Sequence, residues 1–348
     1  MKVALVCPYD MGVPGGVQDQ VRRLSKWVAA AGHDVRLIAP GESAEPGFVS
    51  VGPTTVVPAN GAATPVALAP RVAGAVVAAL LDADVAHVHE PLMPQVALAA
   101  MRKSQVPLVG TFHADVSPVA AGVYRFGKPL IRRWLQRLAV ITAVSPIAAR
   151  VVADTGRVRI IPNGIDVDEY AATTKHSGAI AFLGRNDERK GLPVLLDAWP
   201  HIRTAHPHAA LTVIGADNPG REIGGVRFLG RVSEERKREV LATSEVFCAP
   251  NLSGESFGIV VVEAMAAGCA VVASGLPAFV RVAGEAARFV AVGDAVGLAG
   301  AVVALLADPS ETARLGSAAA AASLRFGRDN VAGAYLTAYE DAVASSKN

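Results

Sequence analysis

The chain has 348 residues, with 33 basic and 31 acidic side chains and a formal net charge of +2. Hydrophobic residues make up 51% and charged residues 18%, which excludes intrinsic disorder, and the length suits about two domains of roughly 150 residues. The balanced charge excludes wholesale nucleic-acid binding, and charge or proline interrupts every apolar stretch before the roughly 18 residues that a membrane span needs.

Short apolar runs alternate with amphipathic stretches, which is the pattern of βα units and a parallel sheet. The first cycle has a strand at 3–6, the loop CPYDMGVPGG, a helix from Val17 to Val28 and a strand at 35–38. Further strands are predicted at 85–88, 107–112, 139–144 and 158–161.

A second cycle of the same kind begins near residue 179, with a strand at 180–183, the loop GRNDERKG, a helix from Leu192 and a strand at 211–214. We predict an α/β protein with two doubly wound, Rossmann-like domains at 1–165 and 179–328. The polar stretch 166–178 is predicted as a linker, and 329–348 as a C-terminal helix. Ligands of such domains bind at the carboxyl ends of the strands, so we expect a site facing both domains.

Two loops between a strand and a helix carry candidate phosphate-binding groups. Gly15 and Gly16 let backbone amides approach an anion at a helix N-terminus, although a plain tight turn has the same sequence. Arg185 and Lys190 occupy the equivalent loop of the second cycle, where two cations can neutralise a diphosphate. The alternative for that loop is a solvated turn that pairs with Asp187 and Glu188.

The stretch GESFGIVVVEAMAAG (254–268) is the most informative motif. Glu255 is expected to accept hydrogen bonds from sugar hydroxyls, while the amides from Ser256 to Ile259 hold phosphate at the helix start. Glu263 lies in an otherwise apolar helix, and a ribose diol would satisfy it. The alternative is an acid at a helix N-terminus together with a salt-bridged buried acid.

Histidines and paired acids raise the question of proton transfer or metal binding. His113 ends an apolar strand, where it can contact a sugar or transfer protons, although a lone histidine is more often structural. His87 and His89 share one strand face without a third ligand at suitable spacing, and Asp82 precedes a strand at the wrong edge of the sheet. We therefore predict no catalytic metal.

The segments CPYDMGVPGGVQ, HVHEP, GTFHAD, IPNGID, FLGRNDERKG, FLGRV and GESFGIVVVEAMAAG together resemble glycosyltransferase family 4 over nearly the whole chain, most closely its actinobacterial mannosyltransferases. The resemblance implies the two-domain GT-B fold and retaining hexosyl transfer without metal or cofactor. It favours GDP-mannose as the sugar donor, with a UDP-sugar as the alternative.

The resemblance also implies roles for individual residues. It assigns a phosphate loop to Gly15 and Gly16, diphosphate binding to Arg185 and Lys190, sugar hydroxyls to Glu255, ribose to Glu263, phosphate and sugar contacts to Ser256, Phe257, Gly258 and Ile259, guanine to Glu234 and Lys237, and a position near the reacting centre to His113. A sugar-nucleotide epimerase or hydrolase of the same fold, and a small-ligand binding protein, are the alternative functions.

The sequence departs from the family at the acceptor side. Members that act on anionic lipid dock through a basic helix, whereas the matching stretch 69–84 has one arginine, so membrane attraction is expected to be weak. Tyr9, Asp10 and Asn60 are the candidates for holding a hydroxyl acceptor of unknown identity. Three cysteines without a CxxC pair and the absence of a signal peptide predict a cytoplasmic protein, or one peripheral to the inner face of the plasma membrane.

Overall fold

The computed structural model of the chain describes residues 1–59, 62–67, 69, 71–114, 128–170, 173–220 and 222–346. The chain divides into two compact units, the first formed by Met1–Gly164 with Arg328–Asn348 and the second by Ile165–Gly327. Asn60, a predicted acceptor residue, lies outside the described residues.

The first unit is built on a parallel sheet. Its strands are β1 (Lys2–Val6), β2 (Asp34–Ala39), β3 (Phe48–Ser50), β4 (Thr55–Ala59), β5 (Ala62–Val66), β6 (Val85–His89), β7 (Leu108–Phe112), β8 (Leu138–Ala143) and β9 (Val158–Ile160). Its helices are α1 (Gly16–Ala30), α2 (Val72–Leu80), α3 (Val96–Lys103), α4 (Lys128–Leu135) and the C-terminal α11 (Arg328–Ser345). Within the described residues the sheet order is β3-β2-β1-β6-β7-β8-β9, and β4 and β5 form a separate antiparallel pair.

The second unit repeats this plan. Its strands are β10 (His176–Leu183), β11 (Ala210–Ile214), β12 (Val226–Phe228), β13 (Ser244–Ala249), β14 (Ala270–Ser274) and β15 (Ala287–Val290). Its helices are α5 (Leu192–Ala205), α6 (Glu234–Thr243), α7 (Ile259–Ala266), α8 (Pro277–Ala283), α9 (Ala295–Ala307) and α10 (Pro309–Ser323). The strands whose residues are described pair in parallel in the order β12-β11-β10-β13-β14-β15.

Both sheets form because their central strands are apolar on both faces. In β1, the four residues Val3–Val6 are all buried, as expected for a parallel strand covered by helices on both sides. Helix α1 places Val21, Leu24 and Val28 in the core beside Trp27. Tyr335 and Tyr339 of α11 belong to this same core, so the C-terminal helix completes the first unit. The predicted α/β class with two doubly wound sheets is confirmed.

The second compact unit begins at Ile165, so the stretch 166–178, predicted as a linker, is grouped with that unit. Val167–Tyr170 form a 3₁₀ helix, and the side chain of Lys175 donates to the carbonyl of Ala267 at 2.6 Å. Strand β10 starts at His176, three residues before the predicted domain start, because its pairing with β13 continues past a register shift between His176 and Ile180.

Strand order reverses between β1 and β6 in the first sheet and between β10 and β13 in the second. Loops that follow adjacent strands on opposite sides of such a reversal diverge and leave a crevice at the carboxyl edge of the sheet. The loops after β1, β10 and β13 carry most of the predicted site residues.

Candidate functional site

The loop after β10 is held in shape by its own charges and by the loop after β13. Asp187 accepts a hydrogen bond from the amide of Arg189 (3.0 Å) and pairs with its guanidinium (2.6 Å). The carbonyl of Arg189 in turn accepts from the amide of Leu252 (2.8 Å). Gly191 has φ +71°, and a Cβ there would lie 1.9 Å from the carbonyl oxygen of Pro250. The two loops therefore support each other directly.

Lys190 and Glu255 are brought together by these loops. The Lys190 ammonium forms an ion pair with Oε1 of Glu255, and the Asn251 amide donates to the same oxygen at 2.7 Å. The side chains of Lys190 and Glu255 are 24% and 12% exposed, so a ligand can reach the pair although most of its surface is covered by protein. Asn251 is buried. A cation and a hydrogen-bond-accepting carboxylate at one sheet edge suit a ligand that carries both phosphate and hydroxyl groups.

Asn251 was not predicted as a site residue from the sequence. A polar side chain two residues after the end of the apolar strand β13 was the available signal for it. Arg185, by contrast, is exposed and makes no ion pair with any residue that the structure describes, whereas Asp187 pairs with Arg189. Asp187 therefore does form an ion pair within the turn, as the alternative for this loop proposed, but its partner is Arg189. Arg185 presents an exposed cation at this edge of the sheet.

The helix predicted from the glycine-rich motif is α7. Gly258 caps it with φ +97°, where a Cβ would lie 2.7 Å from the Phe279 ring, so the tight entry depends on glycine. Ile259 is the first helical residue, and Phe257 packs edge-on against Phe326. The first amides of an α-helix have no intrahelical acceptor, which makes this end of α7 suitable for an anion. The Ser256 side chain precedes it on the same loop.

Glu263 is buried in α7 and is held by groups from two other segments. Its Oε1 accepts from the ammonium of Lys237 (2.8 Å) and from the hydroxyl of Tyr170 (3.0 Å). Lys237 also pairs with Glu234 at 2.7 Å. Burial alone would lower the pKa of Lys237, but the two carboxylates outweigh it and raise that pKa.

The structure thus brings together Glu234, Lys237 and Glu263, to which the family resemblance assigns contacts with guanine and ribose. It shows the salt-bridged buried acid that was the alternative for Glu263. Tyr170 was missed because it lies in the segment taken for a linker, and nothing in its local sequence indicates a contact 93 positions away.

In the first unit, Gly15 and Gly16 lie at the start of α1. Gly15 is the N-cap residue, and a Cβ there would lie 2.5 Å from Oε1 of Gln18, so the glycine allows the close approach of that side chain. Gly16 is exposed, with no atom within 4 Å of a Cβ position. The accessible start of the 15-residue α1 suits the predicted anion contact.

The two described acceptor candidates follow β1. Asp10 accepts from the amide of Gly12 (2.8 Å) and from the hydroxyl of Thr54 (2.6 Å) and is 9% exposed, which favours a structural role in this loop. Tyr9 is partly buried, and its backbone forms a β-bridge with Val66.

His113 follows β7 at the carboxyl edge of the first sheet and is 8% exposed. Its Nε2 lies 2.9 Å from Nδ1 of His89, and the Glu90 carboxylate accepts from its backbone amide at 2.8 Å. Burial lowers the pKa of His113 to about 4 and that of His87 to about 3, and it raises the pKa of Glu90 to about 7. The ring of His113 is therefore neutral near pH 7.

His87 and Asp82 have structural partners. His87 lies 2.8 Å from the Tyr339 hydroxyl and 2.6 Å from that of Thr111, and Asp82 pairs with Arg36 at 2.5 Å. Across the described ranges of the chain, no group of three or more histidine, cysteine, aspartate or glutamate side chains is arranged to hold a metal ion.

Comparison with known proteins identifies the chain. A family model described as Glycosyltransferase Family 4 matches residues 14–169, and one described as Glycosyl transferases group 1 matches residues 177–308. The chain is 37% identical to phosphatidyl-myo-inositol mannosyltransferase of Mycobacterium leprae, over 99% of this chain and 98% of that protein. This chain belongs to glycosyltransferase family 4. The predicted family and the assignment as a hexosyltransferase are confirmed.

Solved structures support the fold of this family 4 glycosyltransferase. Sucrose-phosphate synthase from Thermosynechococcus elongatus matches with a TM-score of 0.77 and 20% identity, over 99% of this chain and 100% of that one. Anabaena HepE in complex with UDP and glucose matches with a TM-score of 0.74 and 19% identity, over 97% and 99% of the two chains. At these identities the likeness shows the fold alone, and it confirms GT-B.

Among the described residues of this glycosyltransferase, no single helix is both long and apolar enough to cross a membrane. The pair Ala295–Ala307 and Pro309–Phe326, bent by 105°, reaches the required length and composition only when taken together. The cysteines Cys7, Cys248 and Cys269 are free and buried.

Proposed function

We propose that this family 4 enzyme is a retaining, metal-independent mannosyltransferase that transfers mannose from GDP-mannose to a hydroxyl acceptor. The observation that carries the proposal is the Lys190–Glu255–Asn251 constellation at the strand-order reversal of the second sheet, in a chain similar to a named mannosyltransferase. The enzyme uses no cofactor in this proposal, and the nucleotide sugar is its co-substrate.

Each group has a task that follows from its chemistry. Lys190, with the exposed Arg185, neutralises the diphosphate, and Glu255 accepts hydrogen bonds from mannose hydroxyls. Glu263 takes the ribose diol, while the amides around Phe257, Gly258 and Ile259 hold phosphate. Attack occurs on the face from which the leaving phosphate departs, and that phosphate accepts the proton of the acceptor hydroxyl.

The first experiment tests the sugar-donor site. Thermal-shift binding of GDP, UDP, ADP and dTDP, followed by donor-hydrolysis and transfer assays, should select GDP and GDP-mannose. Replacing one preorganised charged group typically lowers the rate by about 10²–10³, so Glu255→Ala and Lys190→Ala should each show such a loss while remaining folded. Arg159→Ala, which removes a half-exposed cation of the first unit, is the matched control and should keep the wild-type rate. Wild-type rates in both site variants would overturn the assignment.

Metal independence and stereochemistry need their own measurements. Transfer should be unchanged after treatment with EDTA. The one-bond coupling constant between C1 and H1 of the transferred mannose, measured by NMR, should match that of the α-linked donor. Loss of activity that Mg²⁺ or Mn²⁺ restores, or a β-linked product, would refute these parts of the proposal.

A UDP-sugar is the second candidate for the sugar donor. What supports it is the likeness in fold to Anabaena HepE, whose structure was solved in complex with UDP and glucose. Preferential binding of UDP in the nucleotide screen would select this candidate.

The acceptor is the less defined half of the reaction. The relatives are named for phosphatidyl-myo-inositol, whereas α2 here carries no charged residue, which supports an acceptor in solution or weakly associated with membranes. Transfer to free myo-inositol and other soluble hydroxyl compounds should be compared with transfer to vesicles that contain phosphatidylinositol. Preference for the vesicles, with strong salt-sensitive binding, would contradict the soluble acceptor.

A further inference from the structure

The last residue of β6 and the residue after it both hold His113, from different sides. His89, at the end of the strand, places its Nδ1 2.9 Å from Nε2 of His113. Glu90 accepts hydrogen bonds from the backbone amides of His113 (2.8 Å) and Ala114 (2.9 Å) through one oxygen, Oε1. One dipeptide therefore fixes both the ring and the backbone of His113.

The backbone of Glu90 is strained. Its φ of +48° lies in the left-handed region, and Glu90 is one of two residues other than glycine with positive φ in the described part of the chain. Such a conformation is unfavourable for a residue other than glycine and persists where surrounding contacts enforce it. Here the Glu90 amide donates to the Thr111 carbonyl (2.8 Å), and the left-handed turn directs the carboxylate toward the start of the loop after β7.

The His89–His113 contact also couples the tautomers of the two rings. Burial lowers the pKa of both histidines, so both are neutral near pH 7 and one hydrogen lies between Nδ1 of His89 and Nε2 of His113. His89 Nε2 has no hydrogen-bond partner among the described residues, whereas the side chain of Asn163 lies close enough to His113 to favour the charged form of that ring. His89 and His113 line a small cavity together with Gln20 and Asn163. Whichever ring donates, one remaining nitrogen carries a hydrogen and the other is an acceptor.

We propose that His89 and Glu90 are positioning residues that hold His113 in one orientation and one tautomer for its contact with the sugar. The role at the sugar rests on the proposed function, whereas the clamp itself is a property of the free protein. The sequence analysis assigned no role at the site to His89 or Glu90, which appear there only as part of the segment HVHEP.

The activity test uses a conservative and a disruptive variant of His89. The amide of asparagine can replace Nδ1 of histidine, so His89→Asn should keep kcat within about threefold of wild type, whereas His89→Leu should lower it at least tenfold, since small misplacements of a reacting group can cost up to about 10² in rate. His87→Asn is the matched control, because His87 is equally buried on the same strand face and has no bond to His113. Equal losses in all three variants would show that buried imidazoles only support the core and would overturn the proposal.

A spectroscopic test reads the clamp without substrate. In protein labelled with ¹⁵N-histidine, the Nδ1 and Nε2 shifts of His113 should report one dominant tautomer in the wild type and in His89→Asn, and averaged values in His89→Leu. Unchanged His113 shifts in His89→Leu would refute the clamp. If His113→Ala keeps wild-type transfer, the proposed role of His113 at the sugar is wrong, and these shifts alone decide on the clamp.

Glu90 provides a second pair of variants should His89→Leu not fold. Glu90→Gln keeps an oxygen that can accept both amides and should retain transfer and the His113 shifts, whereas Glu90→Ala should reproduce the averaged shifts and a similar rate loss. Wild-type shifts and rates in Glu90→Ala would contradict the part of the proposal that concerns Glu90.

Discussion

Gly191 is the residue at which the loops after β10 and β13 come closest. Its positive φ and the 1.9 Å approach of the Pro250 carbonyl to a Cβ position leave no room for a side chain. Lys190 immediately precedes it and Asn251 immediately follows Pro250, so both partners of Glu255 depend on this approach. The glycine of the RKG sequence therefore has a packing function at the candidate site.

Gly191→Ala should destabilise the second unit by about 1–3 kcal/mol, because the backbone strain and the displaced Pro250 carbonyl act together. The matched control is Gly300→Ala, an exposed position inside α9 with nothing within 4 Å of the new Cβ, where alanine should stabilise by about 0.5–1 kcal/mol. Urea unfolding of both variants measures the difference. Equal stability of Gly191→Ala and wild type would refute the tight contact.

Lys237→Met should cost about 3–5 kcal/mol, because it leaves the buried carboxylate of Glu263 without its cation. Replacing both Lys237 and Glu263 by methionine should recover most of the lost free energy of unfolding, since no unpaired buried charge then remains. The half-exposed pair Arg159–Asp341 is the control, and Arg159→Met should cost less than about 1 kcal/mol. Similar free energies of unfolding for Lys237→Met and Arg159→Met would show that the buried pair is effectively solvated.

At the scale of elements, α11 shows how the last part of the chain completes a sheet formed by the first part. Tyr335 and Tyr339 lie one turn apart and are both buried against the first sheet. The Tyr339 hydroxyl is 2.8 Å from Nδ1 of His87, whereas that of Tyr335 is 3.5 Å from the Thr111 hydroxyl, at the limit of a hydrogen bond. The two tyrosines therefore differ in polar contact and share their apolar packing.

Tyr339→Phe should destabilise the first unit by about 1–3 kcal/mol, because it leaves a buried imidazole nitrogen without a partner. Tyr335→Phe, one turn away on the same helix, should cost less. Thermal unfolding of both variants, followed by amide hydrogen exchange in the first unit, provides the comparison. A larger loss for Tyr335→Phe would contradict the contact assigned to Tyr339.

For the whole molecule, the two units differ in where their titratable groups are buried. His87, His89 and His113 all lie in the core of the first unit, whereas His176, His201 and His208 of the second are exposed. A neutral buried imidazole must take up a proton on unfolding below its ordinary pKa, so the cost of acidification falls on the first unit.

The first unit should therefore lose stability as the pH falls from 6.5 to 4, by about 3 kcal/mol from the lowered pKa of His113 alone. Glu90 acts in the opposite direction, because its pKa is raised to about 7 and its contribution to stability is lost as the pH rises through that value. Three histidines with lowered pKa values act against this single carboxyl group, so the net effect of acid on the first unit is a loss of stability. Amide hydrogen exchange measured for each unit should show a larger loss of protection in the first unit. Equal weakening of both units would contradict this assignment.

Local sequence patterns were enough to predict the two βα cycles and the chemical types of residue at the site. The apolar runs that became β1 and β10 are buried on both faces, so their local composition already required a covered parallel sheet. His113 could be located because it directly follows such a run, and Lys190 and Glu255 because they lie in the loops after β10 and β13. Chain order places these strand ends at the carboxyl edge.

Which side chains pair depends on the packing of whole elements and could not be predicted from local patterns. Asp187 binds Arg189 instead of Arg185, Tyr170 reaches Glu263 from a segment read as a linker, and the neutral His89 ring contacts His113. Such pairs join loops that are 24 to 93 positions apart, or select among neighbouring charges, and no local pattern encodes that choice. Hydrogen-bond partners depend on distances of a few tenths of an ångström, which the packing of whole elements sets after the local sequence has fixed what those elements are.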